Sequence, residues 1–592
     1  MEQLASFLGF GSATGTGFSS CSPSSIPYPT TLPNAEFLSV EAHLVTNYTE
    51  AIPPGFENSF FAPSSPLPAL NFCNVTLVHT HPGLGDRILT QVWLPLGDGD
   101  SVYDSGKQQQ QQQQPMKATD GRTSPPWNGR LQGVGGAGTS TGFMPLTQYS
   151  AVAEGYAVVT TDGGHRSTDW ASGAWALASP GNVDWNAVQN YAAVALHDAA
   201  VIGRAVTEAF YGRKLEYAYF TGCSTGGRQA ALLAQRWPDD YDGFLGGAPA
   251  VRGHEIAVAL APQARMLELG YAPPACELRE LRRLAVERCD GLDGVVDGLV
   301  SEPERCFAAF EPRSHVGDEF VCEEAGGKTL QITEAGVEVA RLAWEGLPDD
   351  AGGVVWGGLG HQAELSAWAG TTCDYGLDGD GDAVGTPKCK PEPWPLAMAW
   401  VQYFLHRDPA KPTDPTAFFR SGVRDVARLV HQARQWYASL LGTFDADLSD
   451  LRDGGGKLLL WHGMADEAIP LNNSRAYHSA VAARDPGRVD GYLRYFESPG
   501  VTHCGLGGDG RGLVPSSSSG GGRLLDVLRA WVEEGVVPES VPAVSKEADP
   551  ATGVRATRPL CRYPRKAKYD GVGDVASADS FRCSRKKVGN SS

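Results

Sequence analysis

The sequence predicts an α/β protein in which a parallel sheet is flanked by helices, and three observations support this fold class. Strand-like apolar runs, glycine-rich turns and alanine-rich helical stretches alternate between residues 127 and 252. The same pattern returns from residue 457 with "KLLLWHGMADEAIP". Ahead of both, "CNVTLVHTH" and "RILTQVWLP" alternate apolar and polar residues as two paired antiparallel strands do.

A chain of 592 residues usually exceeds one hydrophobic core, and the pattern divides this chain into four segments. Residues 1–69 are rich in Ser, Thr, Pro and Gly and predict an irregular arm that Cys21 could attach to the body. Residues 70–252 carry the first part of the sheet, and residues 401–592 carry the second part and a polar C-terminal segment. Residues 253–400 lose the alternation and predict an inserted second lobe.

Two polar segments are predicted to be surface loops. The tract "QQQQQQQ" and its Pro- and Ser-containing flanks can bury almost no apolar surface, which predicts disorder. The turn "DYGLDGDGDAVGTPKC" is similar to an EF-hand through Asp378, Asp380 and Asp382, but it lacks the glycine and the glutamate that an EF-hand loop requires. We therefore predict a solvated acidic turn closed by a Cys373–Cys389 disulfide.

The composition argues against two classes of partner. Hydrophobic residues make up 42% of the chain and charged residues 20%, as in folded soluble proteins. The net charge of -19 repels phosphate backbones and anionic lipid surfaces, so we expect no nucleic acid and no membrane partner. No apolar run reaches the roughly 20 residues that a membrane span requires.

Twelve cysteines indicate disulfides formed in an oxidising compartment, because none of them belongs to the CxxC pairs typical of zinc and redox sites. We therefore predict a secreted, extracellular protein, although the first residues show no clear signal peptide. Sequons at Asn47, Asn74, Asn472 and Asn590 predict a glycoprotein. The cysteines are Cys21, Cys73, Cys223, Cys276, Cys289, Cys306, Cys322, Cys373, Cys389, Cys504, Cys561 and Cys583.

A candidate nucleophile follows the strand "YAYFTGC". Residues 222–226 read Gly-Cys-Ser-Thr-Gly and fit G-x-S-x-G, the sharp strand-to-helix turn that exposes a reactive serine, here Ser224. The N-terminus of the following helix favours negative charge that develops beside this serine. The pattern alone also fits a glycine-rich turn that binds an anion or only packs.

Two further residues match the partners that a catalytic serine needs, a base and a carboxylate that orients the base. Asp466 follows one apolar strand, and His503 follows another. Both therefore lie at the edge where a parallel sheet carries its catalytic loops, in the chain order Ser, Asp, His. Taken singly, the aspartate could be solvated and the histidine could be structural.

Cysteines directly adjoin two of these candidates, because Cys223 precedes Ser224 and Cys504 follows His503. A hydrogen-bonded serine–histidine pair, roughly 2.6–3.2 Å apart, would bring the two cysteines close together. A disulfide requires Cα atoms about 4.4–6.8 Å apart, which this arrangement can meet. We predict a Cys223–Cys504 disulfide between the two loops, with a buried Cys223 or another pairing as the alternative.

Taken together, these motifs resemble the fungal tannase and feruloyl esterase family. The resemblance rests on the order CS, D, HC, on "WNGR" and the glycine-rich turn after it, on "TDGGH", and on the inserted lobe with its Asp-rich loop between cysteines. It covers most of residues 70–585. It implies an α/β-hydrolase core with an inserted lid domain, hydrolysing plant phenolic esters that are free or attached to cell-wall polysaccharide.

The resemblance also implies a role for each candidate. Ser224 would be the nucleophile, His503 the general base and then the acid, and Asp466 the group that holds the imidazole. The oxyanion hole would use backbone N–H groups of Thr225 and of Gly135 or Gly136.

An acidic loop in the inserted lobe, "CDGLDGVVDGLVSEPERC", is a candidate cation site. Its aspartates lie along a glycine-rich loop closed by Cys289 and Cys306, and they would repel one another unless a hard cation such as calcium neutralised them. A solvated turn is the alternative. The resemblance favours structural calcium and implies as ligands Asp290, Asp293 and Asp297 with the main-chain carbonyls of Val295 and Leu299.

Three functions remain open from the sequence. The first is a secreted esterase acting on feruloyl or galloyl esters, and the second is a hydrolase of other aromatic esters on the same scaffold. The third is a catalytically silent carbohydrate- or partner-binding module, although the presence of all three triad residue types argues against it. The aromatic side chains that are candidate substrate contacts, or else core residues, are Trp368, Trp394, Trp400 and Tyr403.

Overall fold

The computed structural model describes residues 21–24, 26, 32, 34–57, 59–61, 67–97, 124–165, 170–348, 354–376, 387–411, 418–515 and 523–584. The glutamine tract, the acidic residues Asp378, Asp380 and Asp382, and the sequon at Asn590 lie outside these residues.

A nine-stranded sheet forms the centre of the molecule, in the order β1-β2-β3-β5-β4-β6-β7-β8-β9. Strands β4 to β9 are parallel, while β1, β2 and β3 form an antiparallel extension that joins at β5. The α/β prediction and the antiparallel pairing of "CNVTLVHTH" with "RILTQVWLP" are thereby confirmed. The strands are β1 (Glu36–Tyr48), β2 (Leu70–Thr80), β3 (Ile88–Pro95), β4 (Arg130–Val134), β5 (Ala157–Thr161), β6 (Tyr217–Cys223), β7 (Gly243–Gly247), β8 (Lys457–Gly463) and β9 (Leu493–Ser498).

Strand β1 lies in the segment that we predicted to be an irregular arm, and it corrects that prediction. It pairs with β2 at the edge of the sheet, and Ala42 is its one buried residue. Its apolar side chains, such as Val40 and Leu44, are mostly only partly buried, as is usual for a strand at the edge of a sheet. A Cys21–Cys73 disulfide attaches the arm to β2, as expected of Cys21.

Helices cover both faces of the sheet. Leu458 and Leu460 of β8 contribute to one core, and Leu459 and Trp461 contribute to the other, as the alternation of side chains in a strand requires. The helices Ala195–Tyr211, Thr225–Arg236 and Leu471–Arg484 cover the first face, and the helices Pro145–Ala153 and Leu524–Glu533 cover the second. The longer α-helices are α1 (Pro145–Ala153), α2 (Ala195–Tyr211), α3 (Thr225–Arg236), α4 (Ala261–Leu269), α5 (Ala275–Cys289), α6 (Glu334–Glu345), α7 (Val423–Leu441), α8 (Leu471–Arg484) and α9 (Leu524–Glu533).

The chain between β7 and β8 forms the inserted lobe. Helices α4 to α7 share a core that includes Trp344 and Trp368. Disulfides Cys276–Cys322, Cys289–Cys306 and Cys373–Cys389 cross-link the lobe, and the last two close the loops as predicted. Its shorter elements are the helices Pro303–Ala309, Ser366–Ala369 and Pro395–Ala399 and the hairpins Glu319–Cys322 with Lys328–Gln331, Leu347–Pro348 with Val354–Trp356, and Thr371–Asp374 with Lys388–Pro391.

Helix α7 packs with the helices of the inserted lobe. This helix lies beyond residue 400, yet it packs against the helical segment Gly253–Leu260 and against α4. The segment boundaries at residues 69, 252 and 400 stay predictions.

After β9 the chain forms a small antiparallel sheet and a hairpin. The sheet contains Leu513–Pro515, Ser540–Ser545 and Thr557–Cys561, and the hairpin pairs Ala567–Tyr569 with Phe581–Cys583. A Cys561–Cys583 disulfide holds the hairpin to the sheet. Among the residues that the structure describes, no helix combines the length and the apolar character that a membrane crossing requires.

The strand order indicates where a ligand binds. The chain passes from β4 outward to β5 and returns to the other side of β4 to form β6. The loops after β4 and β6 therefore separate, and in open α/β sheets the crevice between such loops is the usual ligand site. The glycine-rich turn follows β4, and Ser224 follows β6.

Candidate active site

Ser224 occupies a sharp turn between β6 and α3. Its backbone has φ 63° and ψ −118°, a conformation that residues with a side chain rarely adopt. Glycine is required beside it, because a Cβ at Gly222 would lie 2.6 Å from the backbone of Gly226. The Ser224 N–H donates to the carbonyl of Gly247 in β7 at 2.9 Å, which fixes the turn on the sheet. The segment thus has the geometry of a nucleophile turn.

His503 and Asp466 form a hydrogen-bonded pair at the carboxyl ends of β9 and β8. His503 Nδ1 donates to Asp466 Oδ2 at 2.8 Å. Asp466 is buried, and its Oδ1 accepts the N–H groups of Ala468 and Ile469 at 2.9 and 2.7 Å. Ser224 and His503 line the same cavity, but among the described hydrogen bonds none joins their side chains, so the serine–histidine contact stays a prediction.

In the His503–Asp466 pair, the opposite charges and the hydrogen bonds together shift both pKa values more than burial does. Burial lowers the pKa of His503, but the charge of Asp466 and the hydrogen bond to it raise the pKa more, so the pKa lies above its ordinary value. Burial raises the pKa of Asp466, but the charge of His503 and the hydrogen bonds from His462 and His503 leave it below its ordinary value. An ionised Asp466 can therefore stabilise an imidazolium at His503.

Two residues that the sequence analysis did not select support the pair. His462 Nε2 lies 3.1 Å from Asp466 Oδ2, and its Nδ1 lies 2.7 Å from Ser474 Oγ. Glu467 Oε2 accepts the backbone N–H of His503 at 3.0 Å, and burial together with the charge of Asp466 raises the Glu467 pKa. The one signal available was proximity in sequence, because both residues lie within four positions of Asp466.

The Cys223–Cys504 disulfide joins the serine turn to the histidine loop, as predicted. The two Cα atoms are 6.0 Å apart, and the cysteines are separated by 281 positions in sequence. The backbone of Cys504 has φ 53°, so the histidine loop turns sharply at the bridge. The N–H of Phe60 donates to the Cys504 carbonyl at 2.8 Å, which adds the N-terminal arm to this junction.

The glycine-rich turn after β4 corrects the oxyanion prediction. The Gly135 N–H donates to the carbonyl of Thr221 at 3.0 Å. The Gly136 N–H donates to Gln229 Oε1, also at 3.0 Å. Both amides are therefore already paired within the protein, and neither is available to an oxyanion.

Packing explains why the turn contains glycine. A Cβ at Gly135 would lie 2.5 Å from Gln229 Oε1, and a Cβ at Gly136 would lie 2.1 Å from a main-chain carbonyl of the next turn. The following residues, Ala137 and Gly138, line the cavity, and Thr225 Oγ1 donates to the Gly138 carbonyl at 2.7 Å. The turn after β4 is thereby held against the start of α3.

A cavity of about 940 Å³ adjoins Ser224. Aromatic side chains from three distant parts of the chain form much of its wall: Phe56 and Phe61 from the N-terminal arm, Trp170 from the loop after β5, and Trp394 from the inserted lobe. A mostly apolar cavity of this size beside a nucleophile accommodates a planar aromatic acyl group.

The four aromatic candidates from the sequence divide into two groups. Trp394 and Trp400 line the cavity. Trp368 is 1% exposed and donates through Nε1 to the Ala468 carbonyl at 3.4 Å, and Tyr403 packs against the core of the inserted lobe. The latter two therefore have a structural role.

The aspartates of the acidic loop lie near enough for their charges to interact, but among the described residues they do not form a group whose ligand atoms all lie within 4.8 Å of one another. Each of them accepts a backbone N–H from within the loop, at 2.9–3.1 Å. Burial raises the pKa of Asp293 and of Asp297, and the charges of neighbouring aspartates add to the effect. Arg558 forms an ion pair with Asp297. Partly buried carboxylates that repel one another fit a hard divalent cation, with Arg558 as its competitor.

Residues 121–584 match the sequence family described as tannase and feruloyl esterase. The chain is 34% identical over 561 residues to a probable feruloyl esterase of Arthroderma benhamiae, which covers 94% of this chain and 92% of that relative. It is 29% identical over 509 residues to a mono(2-hydroxyethyl) terephthalate hydrolase of Piscinibacter sakaiensis, covering 77% of this chain and 79% of that relative.

The fold is similar to the solved structure of a tannin acyl hydrolase from Aspergillus niger. The TM-score is 0.76 at 24% identity, over 96% of both chains. This similarity supports the α/β-hydrolase fold with its inserted lobe, and the sequence matches extend over most of the chain. The chain therefore belongs to the tannase and feruloyl esterase family of carboxylic ester hydrolases.

Proposed function

We propose that the protein is a secreted esterase that hydrolyses esters of plant phenolic acids through a Ser–His–Asp acyl-enzyme mechanism. The observation that carries the proposal is the position of Ser224, in a strained turn that a disulfide joins to the loop of the His503–Asp466 pair. The names of the relatives and the aromatic wall of the cavity support the substrate class.

In this mechanism Ser224 Oγ attacks the ester carbonyl while His503 Nε2 takes the hydroxyl proton. The bond to the alcohol then breaks, and the alcohol leaves with that proton. Water attacks the acyl-enzyme, gives a proton to His503, and the phenolic acid leaves as Ser224 regains its proton. Asp466 keeps Nδ1 of His503 protonated, so that Nε2 remains the basic nitrogen.

The oxyanion that develops needs two N–H donors beside Ser224. Thr225 supplies one, because it begins α3 and the first N–H groups of a helix have no partner within the helix. Ala137 supplies the second in this proposal. It lines the cavity directly after the two glycines with paired amides, and among the described hydrogen bonds none uses its N–H.

A second candidate function is the hydrolysis of other aromatic esters at the same site. The specific observation in its favour is the 29% identity to a mono(2-hydroxyethyl) terephthalate hydrolase. Both candidates use the same nucleophile, base and cavity, and they differ only in the acyl group that the cavity accepts.

Two measurements test these proposals. A fluorophosphonate probe is expected to label the folded wild-type protein and to leave Ser224→Ala unlabelled. Release of ferulic, p-coumaric, caffeic and gallic acids from their methyl esters then identifies the acyl group. Labelling without release of any of these acids would favour the second candidate, and absence of labelling would contradict both.

We also propose that the acidic loop binds a structural calcium ion. The ion would offset the repulsion between the aspartate charges of this loop. Arg558, the cation beside the loop, belongs to strand Thr557–Cys561 of the C-terminal sheet, so the ion would stabilise the junction of the inserted lobe with that sheet. The ligands in this proposal are Asp290, Asp293 and Asp297 with the main-chain carbonyls of Val295 and Leu299.

Secretion is supported by six disulfides that account for all twelve cysteines, because such a chain requires an oxidising compartment. The three sequons within the described residues differ in the exposure of their asparagine side chains. Asn47 and Asn472 are exposed, whereas Asn74 lies in β2 with its Oδ1 buried. We therefore propose glycans on Asn47 and Asn472, to be checked by a mass shift on treatment with peptide N-glycosidase.

A further inference from the structure

A cluster of side chains that commonly bind metals lies outside the active site, where the end of β2 meets α2. His79 and His81 are two positions apart, so both side chains lie on the same face of the extended chain. Asp198 lies in the first turn of α2. Its Oδ2 lies 3.4 Å from His79 Nε2 and 3.1 Å from His81 Nε2, and the three ligand atoms all lie within 4.8 Å of one another.

His79 is the member of this cluster that the protein leaves unsatisfied. Its side chain is fully buried, and among the described residues neither ring nitrogen makes a hydrogen bond. Nε2 lies near Asp198 without the geometry of a hydrogen bond. A buried polar nitrogen without a partner is destabilising, and a metal ion is a partner that a neutral imidazole can take through its lone pair.

Asp86 fixes the ring of His81 so that Nε2 is directed at Asp198. Asp86 Oδ2 lies 2.6 Å from His81 Nδ1, and Asp86 Oδ1 accepts the His81 backbone N–H at 2.7 Å. Asn190 Nδ2 donates to Asp86 Oδ2 at 2.9 Å, which fixes the carboxylate from a second direction. His81 Nε2 lies 3.1 Å from Asp198 Oδ2, where it donates a hydrogen bond, so a metal ion would take the place of that proton. Histidines that bind metals usually donate their other N–H to such a carboxylate.

We propose that His79 Nε2, His81 Nε2 and Asp198 Oδ2 bind a divalent metal ion of the zinc type, with water as the fourth ligand. Tetrahedral zinc with bonds of about 2.0–2.1 Å places neighbouring ligand atoms about 3.3 Å apart. The two separations from Asp198, 3.4 and 3.1 Å, match this distance. Two imidazoles and one carboxylate suit Zn²⁺ or Co²⁺, whereas calcium prefers oxygen ligands throughout.

The role of this ion would be structural. It would tie the end of β2 to α2, two elements that are 117 positions apart at His81 and Asp198. None of the three ligands is among the residues that line the cavity at Ser224. The site is therefore distinct from the esterase centre, and its loss is expected to change stability more than the rate of ester hydrolysis.

The first test is titration of the metal-free, full-length protein with Co²⁺ in the presence of excess Ca²⁺. We expect one equivalent of Co²⁺ with the visible absorption bands of a four-coordinate ion, and displacement of that ion by Zn²⁺. His79→Ala and Asp198→Asn are expected to weaken binding by about 100-fold or more. His43→Ala, at an exposed histidine of the neighbouring strand β1, and His503→Gln, at the active site, are expected to bind as the wild type does.

The second test is thermal unfolding. Zn²⁺ at about 100 times its Kd is expected to raise the wild-type Tm by about 2 °C, and to leave the Tm of His79→Ala unchanged. Wild-type protein that binds no stoichiometric Co²⁺, or binding that survives His79→Ala, would overturn the proposal. Should His79→Ala fail to fold, X-ray absorption of the wild-type Co²⁺ complex decides: two imidazole ligands are expected, and a spectrum without them contradicts the site.

Discussion

At the scale of single residues, the hydrogen bond between His503 and Asp466 is expected to set the acid limit of catalysis in the proposed mechanism. His503 must be neutral to accept a proton from Ser224, and the charge of Asp466 holds its pKa above the ordinary value. As pH falls through this raised pKa, the imidazole becomes protonated and kcat/KM falls. We expect the acid limb of a kcat/KM profile for methyl ferulate to lie above about 6.5.

Replacement of the carboxylate tests the cause of that limb. Asp466→Asn removes the charge that raises the His503 pKa, so the acid limb is expected to move to lower pH, and kcat is expected to fall by about 10⁴-fold. Asp509→Asn, at an exposed position of the same loop as His503, provides the control and is expected to keep the wild-type profile. An unchanged acid limb in Asp466→Asn would contradict the assigned role of this aspartate.

The candidate triad could be found from sequence because Ser224, Asp466 and His503 each follow an apolar strand in a recognisable order. The supporting residues His462 and Glu467 could not be found from the sequence in this way. His462 matters because the fold turns it toward Asp466, and a histidine inside an apolar strand is otherwise an ordinary core residue. The glycines at 135 and 136 were assigned incorrectly because a sequence shows where glycine occurs but not which N–H group is already paired.

At the scale of elements, Gln229 of α3 holds the turn after β4 in place. Its Oε1 accepts the Gly136 N–H, and its Nε2 donates to the Thr141 carbonyl, both at 3.0 Å. Gln229→Leu leaves both groups unpaired in a buried site, which is expected to destabilise the fold by about 1–3 kcal/mol per group. Because the turn carries the proposed donor Ala137, kcat is expected to fall by about 10-fold or more with little change in KM.

A second glutamine of the same helix provides the control for this prediction. Gln235 lies near the end of α3, and its Nε2 donates to Asp445 at 3.3 Å in an exposed position. Gln235→Leu is expected to leave both kcat and the midpoint of urea unfolding near the wild-type values. Equal losses of kcat in the two variants would show that the turn does not depend on Gln229.

The Cys223–Cys504 disulfide is expected to matter for rate as well as for stability. It closes a long loop, and the entropy of such a closure corresponds to at most about 5 kcal/mol. The double variant Cys223→Ala/Cys504→Ala is therefore expected to lose both Tm and kcat, because the serine turn and the histidine loop are no longer held together. Steady-state kinetics and thermal unfolding of the purified variant measure the two effects.

Removal of the Cys373–Cys389 disulfide in the lobe hairpin is a control that separates an effect on Tm from an effect on kcat. Cys373 and Cys389 are 16 positions apart and lie in a short hairpin of the inserted lobe. Cys373→Ala/Cys389→Ala is expected to lower the Tm and to retain the wild-type kcat. If kcat in Cys223→Ala/Cys504→Ala also stays at the wild-type value, the bridge has no part in aligning the catalytic groups.

At the scale of the whole molecule, calcium is expected to stabilise the junction of the inserted lobe and the C-terminal sheet. Addition of Ca²⁺ at about 100 times its Kd is expected to stabilise the wild type by about 2.7 kcal/mol. Asp293→Asn removes a proposed ligand, so the Tm of this variant is expected to be insensitive to Ca²⁺. Asp318→Asn, at an exposed position in the same lobe, is expected to respond as the wild type does. A response retained in Asp293→Asn would contradict the site.

The architecture was predictable where burial is strong, as in β6, β8 and the helices between strands, because periodic apolar residues report such elements directly. Prediction failed where burial is weak or contacts are distant. Strand β1 has one buried residue, and the cavity wall combines Phe61 with Trp394, which no local pattern relates. Pairing of Cys223 with Cys504 was predictable because the two loops that carry the candidate serine and histidine must meet in the predicted triad.

The disulfide between Cys223 and Cys504 can form only after Cys504 has been synthesised. At about 5–20 residues per second, Cys504 leaves the ribosome roughly 15–60 seconds after Cys223. During that interval Cys223 is a free thiol next to Ser224. The oxidoreductases of the host cell determine with which cysteine it forms a disulfide. We therefore expect the chain to gain esterase activity only after this disulfide has formed. Chains made in a reducing bacterial cytosol are expected to accumulate in an inactive form.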